Sequence, residues 1–322
     1  MALYALGEAL IDFVPSRSGK PADDMRYTPA VGGAPLNVVA AFAKLGGKSY
    51  ILSQVGTDSF GELIAETAQS AGVSTEHLKR TQAAKTALAF VTLYDNGERE
   101  FSFYRDPSAD MLYAPENLNA LNPTPQDILH YCSVSLTPSP MREAHLVAIE
   151  RFRQAGATIS FDINVRLPLW KNPADLYTAI HEFLPYADIV KISDDELPFV
   201  CGHPIENTAQ AIAALFRQNT RYIIYTCGAN GASLYDKNGK RAHVDAYNVA
   251  ALDATGAGDA FIGGLLAEAQ QRGILTRSDW SDTDIHTLLR HAAAVGAITT
   301  LKRGAINSMP DRDRLNAFHQ EQ

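Results

Sequence analysis

Five short apolar runs, Leu3 to Gly7, Ser49 to Val55, Ile159 to Asn164, Ile189 to Ile192 and Tyr222 to Cys227, recur along the chain with helix-like stretches between them. Leu36 to Leu45, Phe60 to Ala71 and Met141 to Ala155 carry apolar residues at helical spacing. Gly46, Gly72 and Gly156 stand just past their ends, where a left-handed cap is expected. Strands that alternate with helices in this way bury both faces of a mostly parallel sheet under helical layers. Right-handed crossovers then place functional loops at the carboxyl ends of the strands.

The rhythm breaks in two places. Thr86 to Tyr94 and Arg99 to Tyr104 are β-rich runs joined by Asp95-Asn96-Gly97-Glu98, a hairpin signal. Asp12 to Val31 is also strand-and-turn material with no helical period. Together they predict a small antiparallel sheet, a lid inserted from about 12–31 and 86–105 into a single α/β domain spanning 1–322. No internal repeat or flexible linker interrupts that domain.

Charge narrows the function classes. Twenty-eight basic against thirty-six acidic residues give −8, which opposes binding to nucleic acid or an anionic membrane. Anionic small substrates survive, because a local basic cluster suffices for them. The longest uncharged stretch, Tyr27 to Ala43, contains Pro29, Pro35 and Asn37, whereas a membrane span needs roughly 20 predominantly apolar residues. Glu8 and Asp12 stand where a signal peptide would stay apolar. Cys132, Cys201 and Cys227 fit neither a disulfide framework nor a CxxC metal pair. A soluble, cytoplasmic protein is expected.

The most specific string is Asp253-Ala254-Thr255-Gly256-Ala257-Gly258-Asp259-Ala260-Phe261, a Gly-rich turn leading into a helical run from Ala260 to Arg272. Backbone N–H groups of Gly256, Ala257 and Gly258 at a helix amino end make an anion site. With Asp259 beside them, a proton acceptor and an oxyanion nest coincide, as phosphoryl transfer requires. The same string also serves as a plain helix N-cap. Phe261 occupies the third glycine position of a dinucleotide fingerprint, and no Gly-Lys-Ser/Thr follows, so neither common phosphate loop is present.

Three further strings admit two readings each. Thr226-Cys227-Gly228-Ala229-Asn230-Gly231 is a phosphate cradle or a tight turn between strands. Gly32-Gly33 before Ala34-Pro35 and Asn37 allows close backbone approach to a ligand or a turn without function. Ser193-Asp194-Asp195-Glu196 offers carboxylates to a hydrated Mg²⁺ or simply starts a helix. After its strand, Asp162-Ile163-Asn164-Val165-Arg166 puts three polar side chains on one side if the extended period continues, which points to a ligand. The nine histidines form no HxxxH or similar pair.

Taken together, these strings resemble the ribokinase-like (PfkB) carbohydrate kinases. GGAPLNVVAAFAKLG (Gly32 to Gly46) is similar to the family's N-terminal signature and DATGAGDAF (Asp253 to Phe261) to its C-terminal one. GEALIDFVP, TALAFVTLYDNGEREFSFYRDPSADMLY and FDINVRLPLW look closest to the fructokinases within that family. The resemblance implies a three-layer α/β/α sandwich with a β-sheet lid. It implies ATP-dependent phosphorylation of fructose at O6, with 2-keto-3-deoxygluconate, ribose or a riboside as sibling substrates. A sugar- or nucleotide-sensing protein on the same fold is the rival outside enzymes.

By the same resemblance Asp259 is the catalytic base, and Gly256, Ala257 and Gly258 form the anion hole against the phosphates. Asp12, Gly32, Gly33, Asn37, Asp162, Asn164 and Arg166 form the sugar side, with Phe103 and Arg105 closing over it from the lid. Arg105 is expected to reach the sugar or the phosphates only when the lid closes. Lys191, Ser193, Thr226, Gly228 and Gly231 line the nucleotide. Ser193 departs from the family's Asn, a departure that fructokinases share. Glu196 positions Mg²⁺ through water, and Asp253, Thr255, Thr299, Gly304 and Ser308 surround K⁺. The lid also suggests a homodimer by analogy.

Overall fold

The computed structural model describes all residues except 23, 95–98, 278 and 322. Asp95-Asn96-Gly97-Glu98, the expected hairpin turn, therefore lies outside the described residues.

The strands, in chain order, are β1 (Leu3–Leu6), β2 (Leu10–Pro15), β3 (Tyr27–Gly32), β4 (Ser49–Gly56), β5 (Leu78–Thr81), β6 (Ala87–Leu93), β7 (Arg99–Tyr104), β8 (Ile128–Cys132), β9 (Thr158–Asp162), β10 (Ile189–Ser193), β11 (Tyr222–Thr226), β12 (Ala232–Asp236) and β13 (Gly239–Val244). The helices are α1 (Ala34–Lys44), α2 (Ser59–Ser70), α3 (Pro140–Gln154), α4 (Pro173–Phe183), α5 (Leu197–Cys201), α6 (Thr208–Ala213), α7 (Ala257–Gln271), α8 (Asp282–Thr299) and α9 (Arg312–Glu321). All five expected strands and the four expected helices are present, their ends displaced by a few residues. Gly46, Gly72 and Gly156 do take left-handed conformations just past α1, α2 and α3.

Among the described residues the main sheet has nine strands in the order β13-β12-β11-β10-β9-β8-β1-β4-β5. It is parallel from β11 through β5, and only the pairings of β12 with β11 and with β13 are antiparallel. Alternate side chains go to opposite cores. Leu3, Ile128, Ile189 and Ile224 pack with α1, α7 and α8, while Leu129, Phe161, Val190 and Ile223 pack with α3, α4 and α6. The result is the expected three-layer sandwich.

The second sheet has the order β3-β2-β6-β7. It is mixed rather than antiparallel throughout. The outer pairs β2–β3 and β6–β7 are antiparallel, but the central pair β2–β6 runs parallel with Leu10 opposite Ala87. The reason is topological: two antiparallel pairs, separated by the intervening α1–β4–α2–β5 segment, meet along strands that run the same way. No helix of the described residues is long and apolar enough to cross a membrane.

Candidate active site

Helix crossing brings the central pair of residues together. Asn37 and Ala41 are four apart on α1, and Asp259 and Gly263 are four apart on α7, so each pair lies along one helix face. A Cβ on Gly263 would stand 2.7 Å from the Val38 carbonyl oxygen and 2.8 Å from Ala41 Cβ. Glycine there lets the helices approach, and one turn earlier Asn37 Nδ2 donates to Asp259 Oδ2 at 2.8 Å.

The start of α7 is made by Gly256, at φ 74°, a conformation that L residues rarely adopt. Its missing Cβ also matters, because it would stand 2.7 Å from Ala305 Cβ. Ala257 N donates to the Ala254 carbonyl at 3.2 Å. The expected nest of three is therefore smaller: Gly256 and Gly258 keep N–H groups without an acceptor among the described residues, while Ala257 is already used in the turn. Asp259 is half-buried at the wall of the cleft. Desolvation pushes its pKa up, and the Asn37 hydrogen bond and the charges of Lys191 and Arg166 offset part of that rise.

The sheet contributes the opposite wall. β9 ends at Asp162, so the extended period does not run through to Arg166 as expected. Asn164 instead takes φ 46°, a left-handed turn that asparagine tolerates better than most residues. Asp162, Asn164 and Arg166 still face one cleft, through the turn rather than through alternation. Glu196 staples this loop to the end of β10, accepting from Val165 N at 3.0 Å and Ser193 N at 2.9 Å. Lys191 Nζ lies 2.9 Å from both oxygens of Asp162. Burial raises the Asp162 pKa and the neighbouring Glu196 and Asp259 charges add to it, against the lowering effect of Lys191. Lys191 is held above its ordinary value by the same carboxylates and remains an ammonium.

These parts enclose a cleft of about 560 Å³. Asp12, Gly33, Asn37, Phe103, Asp162, Asn164, Arg166, Lys191, Glu196, Thr255, Gly256, Gly258 and Asp259 all line it. Gly32 lies at its edge on β3, paired with Leu10. Residues far apart in sequence thus converge at the carboxyl ends of β1, β9 and β10 and at the amino ends of α1 and α7.

Arg105 is a correction. It does not line this cleft or wait on a movable lid. Its side chain is 2% exposed, with Nε and Nη2 on Asp110 Oδ2 at 2.8 and 2.5 Å, Nη1 on the Val134 carbonyl at 2.9 Å and Nη2 on Ser135 Oγ at 3.2 Å. Four hydrogen bonds to three partners hold the guanidinium away from the cleft, tied to Asp110 and to the segment after β8. Phe103, two residues earlier, does face the cleft, together with Phe101.

Glu8 escaped the sequence reading. It is 1% exposed, accepts from Ala34 N at 2.9 Å and from Ser135 Oγ at 2.5 Å, and so caps α1 from the loop after β1. Burial raises its pKa, with Arg105 opposing. The available signal was an acid between buried small residues, Gly7 and Ala9, before a strand.

The remaining expected residues form two neighbouring groups. Ser193 and Thr226 are partners across β10 and β11, and Asp194 N donates to the Thr226 carbonyl at 2.9 Å. Gly228 and Gly231 belong to the short turn joining β11 to its antiparallel neighbour β12, and nothing lies within 4 Å of where a Gly228 Cβ would be. Asp253 accepts from Thr255 N at 2.8 Å and Gly304 N at 3.1 Å, while Ser308 donates to the Gly304 and Ala305 carbonyls. Thr299, at the end of α8, uses its hydroxyl on the Val295 carbonyl at 2.8 Å.

Residues 2–312 match the pfkB family of carbohydrate kinases. The chain is 41% identical over 318 residues to probable fructokinase-4 of Arabidopsis thaliana, an alignment covering 98% of this chain and 96% of that protein. Its fold matches a crystal structure of fructokinase with bound ATP from Xylella fastidiosa at TM-score 0.86 and 34% identity, covering 100% of this chain and 98% of that one. A fructokinase from Vibrio cholerae O395, in a fructose, ADP and calcium ion bound form, matches at TM-score 0.86 and 32% identity over 98% of both chains. A match over nearly the whole length, on a fold whose cleft joins the two signature helices, has one consequence: the chain belongs to the pfkB family of carbohydrate kinases.

Proposed function

We propose that the protein is an ATP-dependent fructokinase that phosphorylates D-fructose at O6. The observation that carries this reading is the 2.8 Å contact between Asn37 and Asp259 at the unpaired amino end of α7. It sets a proton acceptor beside an anion nest and leaves acceptors for sugar hydroxyls. Asn37 Oδ1 and Asn164 Oδ1 are buried without a donor among the described residues, and a polyhydroxylated ligand supplies the O–H groups they lack.

Charge favours a neutral sugar. Two cations, Arg166 and Lys191, line the cleft, against the carboxylates of Glu8, Asp12, Asp162, Asp195, Glu196 and Asp259. A sugar already carrying phosphate would meet that acidic wall. Asp259 takes the O6 proton as O6 attacks the γ-phosphorus, and the N–H groups of Gly256 and Gly258 meet the charge on the transferring group. Thr226, Gly228 and Gly231 fit the nucleotide side, where the space above Gly228 is open.

Among the described residues no three His, Cys, Asp or Glu side chains form a chelating group. That donor set suits a Mg²⁺ held mainly by phosphate oxygens and water, with Asp195 and Glu196 as its outer partners. Bound there, Mg²⁺ neutralises phosphate charge. Asp253, Thr255, Thr299, Gly304 and Ser308 would surround K⁺, with Asp253 supplying the charge. The cysteines are unpaired, consistent with the cytoplasm as its compartment.

A coupled assay with MgATP is expected to give fructose a kcat/KM at least about tenfold above glucose, since a misplaced hydroxyl leaves buried partners unsatisfied. Equal or better turnover of ribose or 2-keto-3-deoxygluconate would remove the fructose assignment and leave a sibling kinase. The outer face of the small sheet supports a homodimer. Phe90 stacks on Phe13 with centroids 4.7 Å apart and meets Tyr27 and Tyr104 edge-on, and Tyr104 is 65% exposed. Sedimentation velocity should give twice the 34.9 kDa chain mass, and Tyr104→Glu should return it to the monomer value.

A further inference from the structure

Helix α1 starts without a cap of its own. Its N-cap residue is Gly33, at φ 107°, and its first turn carries no acid. A side chain at that position is barred, because a Cβ on Gly33 would stand 2.5 Å from the Glu8 carbonyl oxygen and 3.1 Å from Ala9 Cα. The acceptor comes instead from 26 residues upstream, where Glu8 Oε1 accepts from Ala34 N at 2.9 Å. A carboxylate there also meets the positive pole of the helix.

The other carboxylate oxygen is tied elsewhere. Glu8 Oε2 accepts from Ser135 Oγ at 2.5 Å, in the short turn Ser133–Ser135 that follows β8. Ser135 Oγ itself accepts from Arg105 Nη2 at 3.2 Å, so its own proton is available to Glu8. Both contacts donate to Glu8, which suits the ionised form. A helix cap needs one oxygen. The second makes Glu8 a strut between the sheet and α1.

The turn that this strut fixes is the one bearing Asn37. Asn37 N donates to the Gly33 carbonyl at 2.9 Å, and Asn37 Nδ2 reaches Asp259 Oδ2 at 2.8 Å. The far end of α1 is held separately, by Lys44 Nζ on the Ile306 and Met309 carbonyls at 2.7 and 3.0 Å. With Glu8 gone, the amino end can tilt about the crossing at Gly263. A shift of about 1 Å takes Asn37 out of hydrogen-bond reach of Asp259.

We propose that Glu8 is a positioning residue for phosphoryl transfer: it ties the first turn of α1 to the turn after β8 and so holds Asn37 against Asp259. This rests on the reading of Asp259 as the base. Glu8 forms no bond to sugar or nucleotide in this arrangement and moves no proton. It acts through Ala34 and Asn37.

The test is Glu8→Met, which removes both acceptors and leaves Arg105 paired with Asp110. It is expected to lower kcat by about 10–10²-fold, the cost of a misplaced catalytic group. The acid limb of the kcat profile should move to higher pH, because the Asn37 hydrogen bond lowers the Asp259 pKa. Loss of the Glu8 charge alone works the other way, since removing a nearby anion favours ionised Asp259. The titratable groups that face Asp259, namely Lys191, Arg166, Glu196, Asp162 and Cys132, are the same in every variant compared. Asn37→Ala should move the limb in the same direction, and adding Glu8→Met to it should cost no more than about twofold further in kcat.

A crystal structure of Glu8→Met should show Asn37 Nδ2 beyond hydrogen-bond distance of Asp259 Oδ2. A folded Glu8→Met with parent kcat, a limb moved to lower pH, or losses that multiply fully with Asn37→Ala each overturn the proposal. So does an unchanged Asn37–Asp259 distance. That distance decides the matter even if Asp259→Asn shows that the base lies elsewhere. Ser135→Ala carries the test if Glu8→Met does not fold, because it keeps Glu8 and removes only one tie. It should lower kcat by at least about threefold and move the limb the same way; parent values for both count against Glu8.

Discussion

Asp259→Asn should lower kcat by about 10²–10⁴-fold while fructose and ATP bind nearly as before. Asparagine keeps the size of the side chain and can still accept from Asn37 Nδ2, now 2.8 Å from Asp259 Oδ2. It cannot accept the hydroxyl proton. The nest survives because it is built from backbone N–H groups at Gly256 and Gly258. Activity of the parent should fall on the acid side, as the carboxylate protonates. Burial moves that limb above the ordinary carboxylate range. The sign follows from the role: a base works only when deprotonated, so a raised pKa brings the loss to a higher pH. In Asp259→Asn the residual activity should lack this limb. If a folded variant keeps near-normal kcat, Asp259 is a helix cap and the base lies elsewhere.

Arg105→Met should unfold more easily than the parent by about 3–5 kcal/mol, the usual cost of stranding one member of a buried ion pair. Asp110 is 0% exposed and would lose both of its guanidinium bonds; Glu8 nearby would lose the opposing charge. Urea unfolding followed by circular dichroism reads this directly. Asp110 also accepts from Ser108, so the variant should loosen the segment that follows β7 rather than the main sheet. A variant as stable as the parent, altered only in its fructose kinetics, would restore the lid role and discard the buried-pair account.

The two sets of residues differ in how they could be known from sequence. Asp259, Gly256 and Gly258 were legible because a Gly-rich turn before a helix dictates its own local geometry: donors, dipole and carboxylate arrive within a few residues of one another. The strand–helix alternation was legible for a similar reason, since periodicity and glycine caps are local. Even there Ala257 was misjudged, because its bond to Ala254 depends on the path of the turn. At Asp162 to Arg166 three side chains that line the cleft were grouped on a premise that failed, as the strand stops at Asp162 and a left-handed Asn164 turns the loop.

Arg105, Glu8 and Lys191 depended on pairing across the fold. Composition and spacing say that an arginine follows a β-hairpin, but not that Asp110 and the Val134 carbonyl close around it. The parallel pairing of β2 with β6 is likewise a contact between segments separated by an entire strand–helix–strand unit. By itself the sequence determined which elements form and where an anion could be held, because hydrophobic period, turn chemistry and helix ends act over a few residues. Tertiary structure alone decided which charges face the cleft and which are locked beneath it. Burial and register make a charged side chain either a ligand-facing group or half of an internal pair, and both are set by residues distant in the chain.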